Sequence, residues 1–232
     1  MQNAAFQDKE SEYYTWDKSW MLPFVKNGPN VILDLGCASG RVGLGLLNAG
    51  KAKELIGAEI FAPAAEEAAK TYQEVHVGDV EEMDLAYRDY FDYVICGDIL
   101  EHLKEPYMVV EKIVKLLKPG GSLLACVPNV RNFRVLRDLI FGGEWKYVSS
   151  GILDRTHLRF FTRNSCRRML TDAGLQVYHE QMIVYGTKKL LFNSLTLGCF
   201  AEFLSTQVFC CARKIERTPK HEEDRVQTAP YR

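Results

Sequence analysis

Short apolar runs punctuate the first half of the chain, each closed by Gly, Asp or Pro. Between them, apolar residues recur every three to four positions. The runs at 31–36, 54–60, 74–77, 91–97 and 122–127 are β-branched and strand-length, whereas 41–49, 63–72 and 106–117 carry helical spacing. Pro63 falls near a first helical turn, where its missing N–H costs nothing. This alternation predicts an α/β fold, a Rossmann-like, mostly parallel sheet with helices on both faces. The rhythm changes after residue 128. Helices are expected at 131–140 and 163–173, the second capped by Thr162 and ended by Gly174. Strands six (175–185) and seven (206–212) follow with no long helical crossover, only an apolar insert at 188–204. Residues 11–22, with Tyr13, Tyr14, Trp16 and Trp20, predict an amphipathic helix ended by Pro23. The chain thus divides into an N-terminal helical segment (1–23), one α/β domain (24–213) and a charged, proline-containing tail (214–232) expected to be disordered.

The first strand carries the most specific chemistry. Val31-Ile-Leu-Asp-Leu-Gly-Cys-Ala-Ser-Gly40 is an apolar run with an acid near its end, followed by small residues and a helix. Small side chains there let the backbone turn sharply and approach a ligand at a helix N-terminus. A dinucleotide loop requires Gly at its first, third and sixth positions, which here hold Gly36, Ala38 and Arg41. No Gly-Lys-Ser/Thr follows, which excludes a triphosphate loop of the P-loop type. Ala38 in this turn is expected to keep negative φ.

Asp34-Leu-Gly36-Cys-Ala38-Ser-Gly40 resembles motif I of the class I S-adenosylmethionine-dependent methyltransferases. Four further stretches carry the same resemblance in the same order. Glu59 and Ile60 close the second strand, and Asp79 and Val80 follow the third. Cys96-Gly-Asp-Ile-Leu-Glu-His-Leu103 and Lys118-Pro-Gly-Gly-Ser122 are similar to the strand-four and strand-five motifs of the type 11 and type 12 families. The resemblance implies a seven-stranded sheet with an antiparallel last strand and S-adenosyl-L-methionine as cofactor. It implies cofactor contacts from Asp34, Gly36, Cys37, Gly40, Glu59, Ile60, Asp79, Val80, Gly97 and Asp98. Glu59 would accept from the ribose hydroxyls, Asp79 from the adenine amine, with Ile60 and Val80 beside the ring. Lys118–Gly121 would be a tight structural turn. Leu153-Asp-Arg-Thr-His-Leu-Arg-Phe-Phe-Thr162 resembles a stretch of methyltransferases from ubiquinone biosynthesis and bacterial glycan clusters.

Methyl transfer needs a base when the acceptor must lose a proton. His157, just before a capped helix, is one candidate for base or acceptor contact. An alternative role is to hold a lid loop on the sheet. His102, near the donor end, is a second candidate base. His76, His179 and His221 read as structural or exposed.

Composition narrows the partners. A chain of 232 residues with 47% hydrophobic and 25% charged residues suits one soluble domain. A net charge of −1 and the absence of an Asn/Asp-Pro-Pro-Tyr/Phe motif give no reason to expect nucleic acid. Seven scattered cysteines, none at metal-ligand spacing, read as reduced and buried, and no metal is expected. The polar N-terminus is unlike a signal peptide and no run reaches membrane-spanning length, so a cytoplasmic location is expected. Charge is nevertheless uneven. Between Arg131 and Arg168 nine basic residues face three acids. The insertion 131–162 is expected to roof an acceptor pocket, with Arg131, Arg134, Arg159 and Tyr14 touching a small-molecule or glycan acceptor. Those arginines would suit an anionic acceptor; a solvated helical face is the alternative. The insert 188–204 is expected to pack on the sheet edge, or else to form a homodimer or peripheral membrane contact. O-methylation is the expected reaction. N- or C-methylation, or a cofactor-binding partner without catalysis, are the alternatives.

Overall fold

The computed structural model describes residues 18–215. Tyr14, the start of the N-terminal segment and the tail from residue 216 lie outside the described residues. Seven strands form one sheet in the order β3-β2-β1-β4-β5-β7-β6. They are β1 (Asn30–Leu35), β2 (Ala52–Glu59), β3 (Glu74–Val77), β4 (Phe91–Gly97), β5 (Leu117–Pro128), β6 (Leu175–Ile183) and β7 (Gln207–Lys214). β1 is an inner strand, pairing parallel with β2 and β4. β7 runs antiparallel between β5 and β6, as expected. An antiparallel neighbour needs no crossover of the kind that joins parallel strands.

Strand residues alternate between two cores, one on each face. Val31, Leu33 and Leu35 join one core, and Ile32 joins the other. Val208, Cys210 and Ala212 oppose Phe209 and Cys211 in the same way. Helices α3 (Pro106–Leu116) and α5 (Arg163–Asp172) cover the first face. Helix α1 (Arg41–Asn48) and a 3-10 helix (Ser19–Phe24) cover the second. A short α2 (Ala62–Ala68) packs against β2 and β3. Thr162 and Ser165 form the reciprocal cap of α5.

Four local expectations change. Pro23 lies inside the 3-10 helix instead of ending it. Lys118–Gly121 is a bulge within β5 rather than a separate turn. The register jumps from Phe91↔Leu117 to Tyr93↔Ser122, and the Lys118 ammonium grips Asp92 across the gap at 2.8 Å. Gly121 is required there, since a Cβ would lie 2.9 Å from two backbone carbonyls. The predicted helix at 131–140 becomes α4 (Phe133–Gly142), because the Asn132 side chain accepts from Arg134 N–H and caps it. Lastly, the insert folds as α6 (Thr187–Leu195) and α7 (Ala201–Leu204), neither of which buries a residue. The expectation that it packs on the sheet edge is therefore not met. Among the described cysteines all are buried except Cys199. No described helix is long and apolar enough to cross a membrane.

Candidate active site

A cavity of about 740 Å³ opens at the carboxyl ends of β1, β2 and β4, under α4 and the 148–154 loop. Carboxyl strand ends at a reversal of strand order are where open α/β sheets bind ligands. The loop after β1 reverses through three left-handed residues, Gly36 (φ +69°), Ala38 (φ +48°) and Gly40 (φ +83°). The expectation of negative φ at Ala38 is thus overturned. The turn has to present its N–H inward, and Ala38 N–H donates to Glu59 Oε2 at 3.0 Å. Glu59 Oε1 accepts from Phe61 N–H at 2.9 Å. Burial raises the Glu59 carboxyl above its ordinary value, and these two N–H groups hold it back.

Gly36, Glu59, Ile60, Asp79, Val80, Gly97 and Asp98 all line the cavity. Asp34, Cys37 and Gly40 do not; they build the loop from behind. Tyr72 donates its hydroxyl to Asp34 Oδ2 at 2.6 Å and accepts from Gly43 N–H at 3.1 Å. Burial pushes the Asp34 carboxyl up to about 6, against the Tyr72 hydrogen bond. Cys37 packs its sulfur against Gly57, and Gly40 lies on Ala68 and Tyr72, with no room for a Cβ. Asp79 Oδ1 accepts from Glu81 N–H, which orients the carboxylate after β3.

Lys18 lies outside the sequence reading. Its ammonium donates to the Gly97 carbonyl at 2.5 Å and pairs with Asp98 Oδ2 at 3.0 Å. Gln207 of β7 holds the other Asp98 oxygen at 2.7 Å. Asp98 is fixed at φ +56°, a strained conformation of the kind found at ligand sites. The partners of Lys18 stand 79 residues away or more, so nothing local in sequence marks it.

At the far end of the cavity stand Glu101, His102 and His157, all buried. The imidazole Nδ1 of His102 lies 3.1 Å from the Thr156 carbonyl, and that of His157 lies 2.9 Å from the Ile152 carbonyl. A carbonyl only accepts, so each Nδ1 carries a proton. The rings meet edge to face with centroids 4.8 Å apart. Burial, then the neighbouring His157, pulls His102 down to about 4, so it is neutral at ordinary pH. Glu101 Oε1 sits 3.9 Å from His157 Nε2, and neither Glu101 oxygen has a hydrogen-bond partner among the described residues. Burial, reinforced by Asp98, pushes its carboxyl well above the ordinary range. Glu101 is a second residue missed by the sequence reading, although it adjoins His102 in the strand-four motif. One ligand atom from each of these three side chains lies within 4.8 Å of the others, close enough for the trio to hold a metal ion. Asp154 braces the loop by accepting from both the N–H and the hydroxyl of Thr156.

Of the expected acceptor contacts, Arg134 lines the cavity. Arg131 instead pairs with Glu202 at 2.9 Å, and Arg159 reaches the Lys104 carbonyl and Glu105.

A family profile described as a methyltransferase domain matches residues 13–180. The chain belongs to this methyltransferase family. The ubiquinone biosynthesis O-methyltransferase of Aeromonas salmonicida (strain A449) is 30% identical over 176 residues, covering 72% of this chain and 70% of its own. Among solved structures, a SAM-dependent methyltransferase from Thermotoga maritima superposes with a TM-score of 0.65 at 16% identity, over 92% of this chain and 100% of that one. The methyltransferase in complex with the Haloferax volcanii Trm112 activator gives 0.64 at 17% identity, over 92% and 95%. At such identities the structural likeness speaks for the fold alone. The methyltransferase uses S-adenosylmethionine as its cofactor. The cavity fits that molecule chemically. It offers a carboxylate at the end of β2, apolar side chains at Ile60 and Val80, and an ammonium beside Gly97, where an added Cβ would lie 3.2 Å from Lys18.

Proposed function

We propose that this methyltransferase O-methylates a small hydroxylated acceptor, with His157 and Glu101 accepting the hydroxyl proton. The observation that carries this reading is the buried Glu101–His102–His157 group at the end of the donor cavity. Bound S-adenosylmethionine supplies an activated methyl group, so the chain's own task is alignment and proton removal. Glu59, Asp79, Ile60 and Val80 hold the nucleoside, and Lys18 takes the methionyl carboxylate. Asp98, fixed by Lys18 and Gln207, shapes the floor beside Gly97. His157 Nε2 lies 3.9 Å from Glu101, and burial raises that carboxyl's proton affinity, so a proton taken by the imidazole can be passed on to it. Neutral His102 packs on His157 and fixes its ring plane. The outer wall carries Val135, Val148, Ile152 and Leu153, with Arg134, Lys146 and Lys189 outnumbering Asp138 and Glu144. That lining suits an apolar or aromatic acceptor bearing an anionic substituent. The Aeromonas salmonicida relative, named for O-methylation in ubiquinone biosynthesis, supports a hydroxyl as the methyl acceptor.

A second reading is favoured by the spread of the same three side chains, in which they hold a divalent cation that binds the acceptor hydroxyl. One experiment separates the two. The full chain is incubated with methyl-labelled S-adenosylmethionine and a panel of phenolic and sugar acceptors, with chelator or with added magnesium, and products one methylene heavier are identified by mass spectrometry. O-methyl product insensitive to chelator supports the base reading. Chelator-abolished, magnesium-restored product selects the cation. N- or C-methyl product, or cofactor binding with no turnover, overturns both. Glu101→Gln is expected to lower kcat roughly a hundredfold, with cofactor affinity unchanged within a few-fold by calorimetry.

A further inference from the structure

We infer that the surface around the cavity mouth, made by α4, the 143–150 loop and α6, docks onto an anionic lipid bilayer. Two helices of this chain turn apolar side chains to water. Helix α4 buries only Val135, and Ile140 and Phe141 stand 67% and 85% exposed. Helix α6 buries nothing, and Leu195 and Leu197 are 74% and 92% exposed. Leu197 is held at φ +50°, a backbone region that favours glycine, and no packing among the described residues accounts for a leucine there. Contiguous apolar exposure of this kind marks an interaction surface.

The two segments form one face. The Lys189 ammonium lies 5.7 Å from the centroid of the Phe133 ring, Arg131 sits over Phe203, and the Asn132 amide ties the start of α4 to the carbonyl of Ser205. The same segments also border the cavity, through Arg134 and Val135 of α4, Lys146 and Val148 of the loop, and Lys189 of α6. The cavity mouth therefore opens where the apolar side chains stand.

Charge selects the occupant. The exposed cations of this face include Arg134, Lys146 and Lys188. Against them stand Glu144 and Asp138, the latter already paired with Arg137 at 2.6 Å. A second copy seated symmetrically would bring cations against cations. An anionic bilayer complements them and receives the apolar side chains at the headgroup boundary, the arrangement of interfacial helices. The contact does not depend on which atom is methylated, and vesicle binding is read without turnover, so it stands or falls apart from the proposed reaction.

The test is flotation of the full chain with vesicles of phosphatidylcholine alone or mixed with phosphatidylglycerol. Binding is expected to the mixed vesicles only, and to weaken as salt rises. Ile140→Asp combined with Phe141→Asp is expected to cut bound protein at least tenfold, and Lys188→Glu several-fold. Cofactor affinity, measured by calorimetry, should stay unchanged in both and reports that the fold is intact. No flotation of the native chain overturns the inference, as does equal flotation by the double variant. A stable dimer in solution that the double variant dissociates would assign this face to a second copy and also overturn it.

Discussion

Ala38 shows how far single residues can be read before geometry is known. Its small side chain is legible as part of a ligand loop, but its backbone sign is not, because the turn is set by the distant Glu59 carboxylate. A left-handed L-residue costs about 1–2 kcal/mol against glycine. Ala38→Gly should therefore raise stability by up to about 1 kcal/mol, after glycine's extra unfolded-state freedom is subtracted. Urea titration should show the rise in midpoint with an unchanged slope. Asp34 supports a prediction with a definite pH window. Its carboxyl titrates at about 6 in the fold, against an ordinary value of 3.8. The folded state thus binds the proton more tightly than the unfolded one. The stability this contributes is full below about pH 4 and is lost as pH rises through about 6. Asp34→Asn, which can still accept from Tyr72, should flatten that fall by about 2–3 kcal/mol. The difference between native and variant unfolding free energies from pH 4 to 7, without cofactor, measures it. Parallel curves would show that Asp34 is ionised throughout.

Whole elements were more legible than their residues, for a physical reason. Strand alternation and helical spacing record which faces are buried, so β1 to β7 could be placed from pattern, whereas the reversal at β7 came from the family resemblance. Where elements begin is decided by side chains reaching for backbone. Asn132 moved the start of α4, and Asp92 holding Lys118 turned an expected turn into a bulge. Thr162 was readable as a cap because its partner, Ser165, is local. Thr162→Ala removes the acceptor for Ser165 N–H and should cost about 1 kcal/mol. For a domain of this size that is a fall in Tm of roughly 2–4 °C. The insert at 188–204 was misread because apolar content records the wish to be buried and not the partner, and here no residue of either helix is buried by the chain's own core.

At the scale of the molecule, the basic segment 131–168 divides into charges the fold consumes and charges it leaves at the cavity. Arg131 pairs with Glu202, Arg137 with Asp138, Arg159 with Glu105, and Arg163 and Arg167 with Glu180. A count of basic residues could not separate these from Arg134, because each acid partner outside the segment is supplied by folding. The half of the cavity lined by Gly36, Glu59, Asp79 and Gly97, proposed here for the donor, could be placed because those residues follow strand ends in motif order. The acceptor half was less legible, because Glu101, His102 and His157 meet only when the 152–157 loop folds over β4. The division predicts unequal effects. Arg134→Ala should raise the KM for an anionic acceptor roughly tenfold, the loss of one charge-assisted contact. Arg131→Ala and Arg159→Ala should leave that KM within about twofold and act mainly on stability, by under about 1 kcal/mol each as partly exposed pairs. Steady-state kinetics of the three variants, with cofactor saturating, compares them. Equal KM changes across the three would mean that the acceptor reads the field of the whole segment, and the assignment to Arg134 would fail.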